Sequence, residues 1–224
     1  DIRDWLFAAP HAVAVALPPS VDLRSGMGPI VDQGQLGSCV GQATAAIDEF
    51  DLIGMGIKDY RPSRLLAYLN ARELEGTIGY DAGASIRDGV VGLAKRGLCK
   101  EELWPYDISK FREIPANNIY TEAGKNKATA YRAVIQNADQ VRGALAAGRP
   151  VIYGFAVYNS FEFVDSTGLI GPPSGGLYGY HANVLCGYDD ASQRFLTRNS
   201  WSTGWGDHGY GRFRYVDILN ANFA

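Results

Sequence analysis

The stretch Gln33-Gly34-Gln35-Leu36-Gly37-Ser38-Cys39-Val40-Gly41-Gln42 passes from a polar, glycine-rich turn directly into an apolar-periodic segment, with a cysteine at the join. Val40, Ala43, Ala46, Ile47 and Phe50 recur at helical spacing and Ser38 stands at the N-cap position, so a helix is expected over 38–50 with Cys39 in its first turn. The positive end of a helix dipole favours thiolate over thiol, and a neighbouring imidazolium favours it further. Cys39 is therefore a candidate nucleophile, although a buried structural cysteine fits the same residue when it is considered by itself.

Working outward, residues 62–74 and 85–95 carry two more helical patterns, the second ending at Gly97 as a glycine C-cap requires. From Thr129 the pattern changes. One helix is expected over 139–147, then strands over 151–158, 181–187, 193–198 and 210–215, rich in valine, aromatics and glycine. A helical half followed by a strand half, without regular alternation, argues for an α+β chain and against a doubly wound sheet. A long glycine-rich loop is expected over 168–179, immediately before His181. Residues 1–17, with Trp5-Leu6-Phe7 and the run Ala12 to Leu17, are too apolar for a free tail and are expected to lie against something.

Composition narrows the function classes. With 224 residues, 46% hydrophobic and 20% charged, the chain buries a full core in one or two lobes. A net charge of -3 leaves no basic excess for a phosphate backbone, so nucleic acid is not expected as a main partner. No apolar run approaches the roughly 20 residues that span a bilayer, so no membrane partner is expected. Asp1 is not a methionine and no signal peptide is visible in the chain, which leaves cytoplasm and secretion both open. The three cysteines are too few and scattered for a disulfide scaffold, and no zinc spacing occurs, so no metal or cofactor is expected. Cys99 and Cys186 read as small buried hydrophobes.

A thiol nucleophile needs a base, and there are three histidines. His11 lies in the N-terminal segment and His208 in the polar turn Gly206-Asp207-His208-Gly209, whereas His181 begins a strand-like run that would hold an imidazole rigidly. Downstream, Arg198-Asn199-Ser200-Trp201-Ser202-Thr203-Gly204-Trp205-Gly206 sets an amide close to two indoles. Asn199 is placed to accept the imidazole N–H and fix its tautomer, with Trp201 and Trp205 shielding that bond from water.

Together these segments resemble the papain family of cysteine peptidases (clan CA, family C1), from Pro18 to Tyr215. His181 and Asn199 follow Cys39 by 142 and 160 residues, near the family's interval of roughly 130–150. The resemblance implies a two-lobe α+β fold: a helical left lobe at about 27–125, an antiparallel, β-barrel-like right lobe at about 126–224 plus 18–26, and an active site in the cleft between them. It implies a cysteine endopeptidase acting on peptide or protein substrates, with Cys39, His181 and Asn199 catalytic and with Gln33 and the Cys39 amide forming an oxyanion hole. Gly83, Ala84, Ile86 and Tyr180 are implied in substrate binding, with Ser85 toward the same pocket, and a monomer is expected. Two other activities use the same residues or the same fold and stay open: a thiol acyltransferase or isopeptidase, and a catalytically silent binding protein.

The chain also departs from the family pattern. Val40 replaces the tryptophan that usually follows the nucleophile, so the core beside the site must pack differently. Leu36 and Asp81 replace the two cysteines of a family disulfide, as in a bacterial or intracellular member. Residues 1–17 form a propeptide-like extension before the domain at 18–224, and the first sixteen are expected to lie in or across the active-site groove and restrain activity.

Overall fold

The computed structural model describes residues 5–7 and 17–224. The expectation for the first sixteen residues therefore falls mostly outside the described residues. Trp5 to Phe7 are described: Phe7 N–H donates to Ala133 O at 2.8 Å and Ala133 N–H to Trp5 O at 2.9 Å, leaving the Trp5 and Leu6 side chains exposed. No helix among the described residues is long and apolar enough to cross a membrane.

The chain divides into two compact units, residues 26–131 and residues 1–25 with 132–224. The first is helical: α1 (Cys39–Gly54), α2 (Arg64–Glu75), α3 (Ile86–Arg96) and the short α4 (Asn117–Ala123). α2 and α3 begin as the sequence dictates, with the Ser63 and Ser85 hydroxyls accepting from Leu66 N–H and Asp88 N–H, and α3 stops at Gly97 with φ 78°. α1 runs four residues beyond its expected end at Phe50, because Leu52 still finds core to bury in. It is buried nearly all round, with Asp48 and Glu49 as well as Val40, Ala43 and Ala46 shielded from water.

Two glycines explain how α1 sits. A Cβ on Gly41 would lie 2.8 Å from Tyr68 N, and one on Gly89 of α3 would lie 2.6 Å from Val40 Cγ1. α2 thus meets α1 backbone to backbone at Gly41, and the α3 backbone at Gly89 rests on the Val40 and Thr44 side chains. Val40 packs against Gly89 at the position where the resemblance implies a tryptophan in other members.

The second unit is built on five antiparallel strands among the described residues: β1 (Ser20–Asp22), β2 (Val151–Tyr158), β3 (Leu177–Asp189), β4 (Arg194–Arg198) and β5 (Tyr210–Arg214). β3 is central, pairing β2 and then β1 along its length, while β4 and β5 follow in order. Its core joins Val141 and Leu145 of α5 (Ala138–Ala146) to Phe155, Phe161, Leu185, Phe195, Trp205 and Phe213. The short α6 (Asn159–Glu162) and α7 (Tyr215–Ile218) complete the unit.

Two expectations need correction. Residues 177–179 are not loop: β3 starts at Leu177, with Leu177 paired to Tyr158 and Gly179 to Val157 across a register shift, so pairing with β2 overrides their glycine-rich character. β1 and α4 were not anticipated; each is too short to show a period, and β1 exists because β3 offers it an edge.

Candidate active site

Cys39 is the first residue of α1 and is half-buried. Ser38 occupies the N-cap position but makes no side-chain cap bond, contrary to expectation. Its hydroxyl is instead paired with the Tyr106 hydroxyl at 2.5 Å and accepts from Gln42 Nε2 at 3.0 Å. Tyr106 in turn donates to Gln33 O at 2.8 Å, and Arg64 stacks on the Tyr106 ring at 4.3 Å while ion-pairing with Glu101 at 2.6 Å. The backbone just before Cys39 is thus held from behind by a buried polar chain, and the serine is not spent on the helix amides.

Gln33 is buried, with Nε2 donating to Leu36 O at 3.0 Å. That bond fixes the amide within the turn that leads to Cys39. Leu36 fills the core with Leu65 and Tyr68, and Asp81, at the other expected disulfide position, accepts from Gly37 N–H through Oδ2 at 2.9 Å. A charge-assisted hydrogen bond stands where a covalent bridge was missing.

The expected substrate-binding residues of this unit fall on one loop and helix start. Gly83 has φ 71° and donates its N–H to Tyr68 Oη at 3.0 Å; Ala84 packs against the Leu36 cluster, and Ile86 is half-buried at the start of α3. Ser85 is a helix cap, its hydroxyl also donating to Asp88 Oδ2 at 2.7 Å.

In the other unit, His181 and Asn199 come together. His181 Nε2 lies 2.8 Å from Asn199 Oδ1, and the same oxygen accepts from Ser200 N–H at 2.8 Å. Because Ser200 N–H can only donate, Oδ1 is fixed as an acceptor and the imidazole proton belongs on Nε2. Nδ1 is then the ring nitrogen without the proton. Asn199 is anchored by its own N–H to Gly209 O at 2.9 Å.

Aromatic rings enclose the imidazole: Trp201 at 4.8 Å, Phe155 at 5.7 Å and Phe161 at 6.2 Å between centroids. Trp205 acts one step further out, packing on Phe161 at 4.8 Å and donating Nε1–H to Phe161 O at 2.9 Å. Burial pushes the His181 pKa down to about 4, against the opposing hydrogen bond to Asn199. Burial therefore favours the neutral ring.

Tyr180 precedes His181 on β3 with its ring exposed, and strand alternation sends it to the opposite face. His208 is exposed in its turn at φ 53°, and His11 lies outside the described residues. Cys99 and Cys186 are fully buried, their thiols pushed up to about 11 and about 12 by desolvation, so neither is a candidate nucleophile.

Sequence reasoning missed Asn183. It is buried two residues after His181 on the same face of β3, next to Val184, which pairs with Arg198. Neither its amide nitrogen nor its oxygen has a hydrogen-bond partner, and Asn199 Nδ2 has none either. The available signal was an amide inside the apolar run Ala182-Asn183-Val184-Leu185.

Residues 17–220 match the sequence profile of the papain family cysteine proteases, and the chain belongs to that family. It is a cysteine-type peptidase by class. Among similar solved structures, xylellain, a cysteine protease from Xylella fastidiosa, is 37% identical with a TM-score of 0.90, over 100% of this chain and 89% of that one. A peptidase C1-like protein of Acanthamoeba polyphaga mimivirus is 35% identical over 207 residues, 87% of this chain and 67% of its own. Peptidase 1 of the mite Euroglyphus maynei is 28% identical over 215 residues, and this chain spans 62% of its length.

Proposed function

We propose that the chain is an endopeptidase in which Cys39 is the nucleophile and His181 the acid and base, oriented by Asn199. The observation that carries this reading is the 2.8 Å pairing of His181 Nε2 with Asn199 Oδ1, which commits one nitrogen and assigns proton transfer to the other. A thiol at the start of α1 is the group whose ionisation the helix favours, and in this reading the thiolate pairs with a His181 imidazolium. The thiolate attacks a peptide carbonyl, forming the C–S bond as the carbonyl electrons move to oxygen. Gln33 Nε2–H and the Cys39 N–H hold that oxygen, and His181 protonates the leaving amine. Water, deprotonated by His181, then releases the acid and restores the thiol.

The substrates in this reading are peptides or proteins, bound along Gly83, Ala84, Ile86 and Tyr180. Residues 1–16 restrain the enzyme by occupying its groove, a reading supported by their apolar character and by the pairing of Trp5 and Phe7 with Ala133. Deleting them then raises peptidase activity; an unchanged rate in a folded variant removes the autoinhibitory role.

The test of the central claim is titration with a thiol-directed epoxide, followed by mapping of the modified residue. Cys39 is expected to carry the label and Cys39→Ala to lose both label and hydrolysis. Labelling at Cys99 or Cys186, with hydrolysis surviving Cys39→Ala, overturns it. Product analysis with an added amine acceptor separates hydrolysis from acyl transfer.

A further inference from the structure

Asp81 lies in no helix or strand, in the loop between α2 and α3, yet its carboxylate joins distant parts of the helical unit. Oδ2 accepts from Gly37 N–H at 2.9 Å, two residues before Cys39, and Oδ1 accepts from the Tyr68 hydroxyl. The Tyr68 oxygen in turn accepts from Gly83 N–H at 3.0 Å. Tyr68 cannot shift to follow the loop: it is fully buried in α2, abuts Gly41 of α1, and carries the Arg72 guanidinium over its ring at 4.0 Å. Burial and the facing carboxylate push the phenol's pKa up, so it remains a donor to Asp81 at any working pH.

A carboxylate kept only for solubility would not bridge a backbone amide and a buried phenol 44 and 13 residues away. The bridge has a mechanical consequence. Gly37 belongs to the turn that sets Gln33 Nε2 and the Cys39 N–H, whereas Gly83 sets the edge carrying Ala84; Asp81 holds Gly37 directly, and the Tyr68 hydroxyl holds Gly83.

We infer that Asp81 is a positioning residue of the active site, whose carboxylate ties the Gln33–Cys39 turn to the Gly83–Ala84 edge so that the oxyanion donors and the substrate backbone are set in mutual register. The inference rests on the function proposed above. It divides the labour: the Asp81–Gly37 bond governs the chemical step, and the Tyr68–Gly83 bond governs substrate binding.

The experiment compares wild type with Asp81→Ala, Asp81→Asn and Tyr68→Phe, measuring kcat and KM for peptide hydrolysis per epoxide-titratable Cys39, with the inactivation rate by the epoxide alongside. Asp81→Ala is expected to lower kcat about tenfold and raise KM severalfold, since small misplacements of reacting groups carry losses of that order. Asp81→Asn, which keeps one acceptor oxygen, should recover part of kcat. Tyr68→Phe leaves the Gly37 bond intact and should raise KM while kcat stays within about twofold. A merely structural role predicts a lower Tm and fewer titratable sites, with kcat and KM per site unchanged; that result overturns the inference. If Asp81→Ala does not fold, the other two variants decide on the same criteria. Wild type that reacts with epoxide but hydrolyses no peptide overturns the proposed function alone, because the inactivation rate still reads the register of the Cys39 turn.

Discussion

Around Cys39 the fixing contacts are polar: the Ser38–Tyr106–Gln33 chain, the Gln42 and Arg64 side chains behind it, and the Asp81 carboxylate on Gly37. Around His181 they are aromatic, with Trp201, Phe155 and Phe161 enclosing the ring and a single amide directing it. The helical unit thus aims backbone N–H groups, which only hydrogen bonds can hold in a glycine-rich turn. The sheet unit aims a ring, which packing holds better. Burial acts on a titratable group in each. It pushes Asp48 of α1 up to about 7 and His181 down to about 4, favouring the neutral form both times.

The strongest way to break the contrast is to remove the thiol. Cys39→Ala is expected to lower kcat/KM by about four orders of magnitude or more, and residual activity within tenfold of wild type would show the polar turn serves another nucleophile. Gln33→Ala should follow, lowering kcat about a hundredfold to a thousandfold with KM little changed, because its amide acts on charge present only in the transition state.

The aromatic side yields a smaller loss and a spectroscopic readout. Trp201→Ala is expected to reduce kcat about tenfold. By relieving desolvation it should also move the His181 pKa from about 4 toward its ordinary range, as followed by NMR titration in a Cys39→Ala background. An unmoved titration would mean that Phe155 and Phe161 alone supply the dry environment.

The mildest effect concerns stability. Asp48, with its folded pKa raised, binds more protons folded than unfolded, so its stabilising balance is lost as pH rises from about 4 to about 7. His181, with its folded pKa lowered, binds fewer, so its contribution is lost as pH falls from about 6.5 toward 4. Asp48→Asn, which keeps the oxygen that accepts from Asn126 Nδ2, is expected to raise Tm by several degrees at pH 8, with the gain shrinking toward pH 4. A gain that does not vary with pH would place the cause in packing instead of charge.

Much of this was legible in the chain. The periodic segments after Ser38, Ser63 and Ser85 became α1, α2 and α3 because capping and apolar spacing are local properties. The valine-rich run 151–158 became β2 residue for residue. His181 and Asn199 were legible as a pair because few histidines compete and the strand pattern around them is plain. What failed was the reading of side-chain roles at short range. Ser38 stands at the N-cap position yet its hydroxyl partners Tyr106, whereas the Ser85 hydroxyl caps α3. A hydroxyl at a helix start looks the same in sequence whichever partner it takes.

The sequence by itself determined the helical half, the strand half, the candidate site residues and the family to which the chain belongs, because these depend on periodicity, residue type and order. Only the tertiary structure decided that β3 begins at Leu177, that His181 meets Asn199, and that Asp81 reaches Gly37 and Tyr68. Each of those depends on which segment lies alongside which. No local pattern encodes the partner of a carboxylate 44 residues away; packing of α1 against α2 and α3 does.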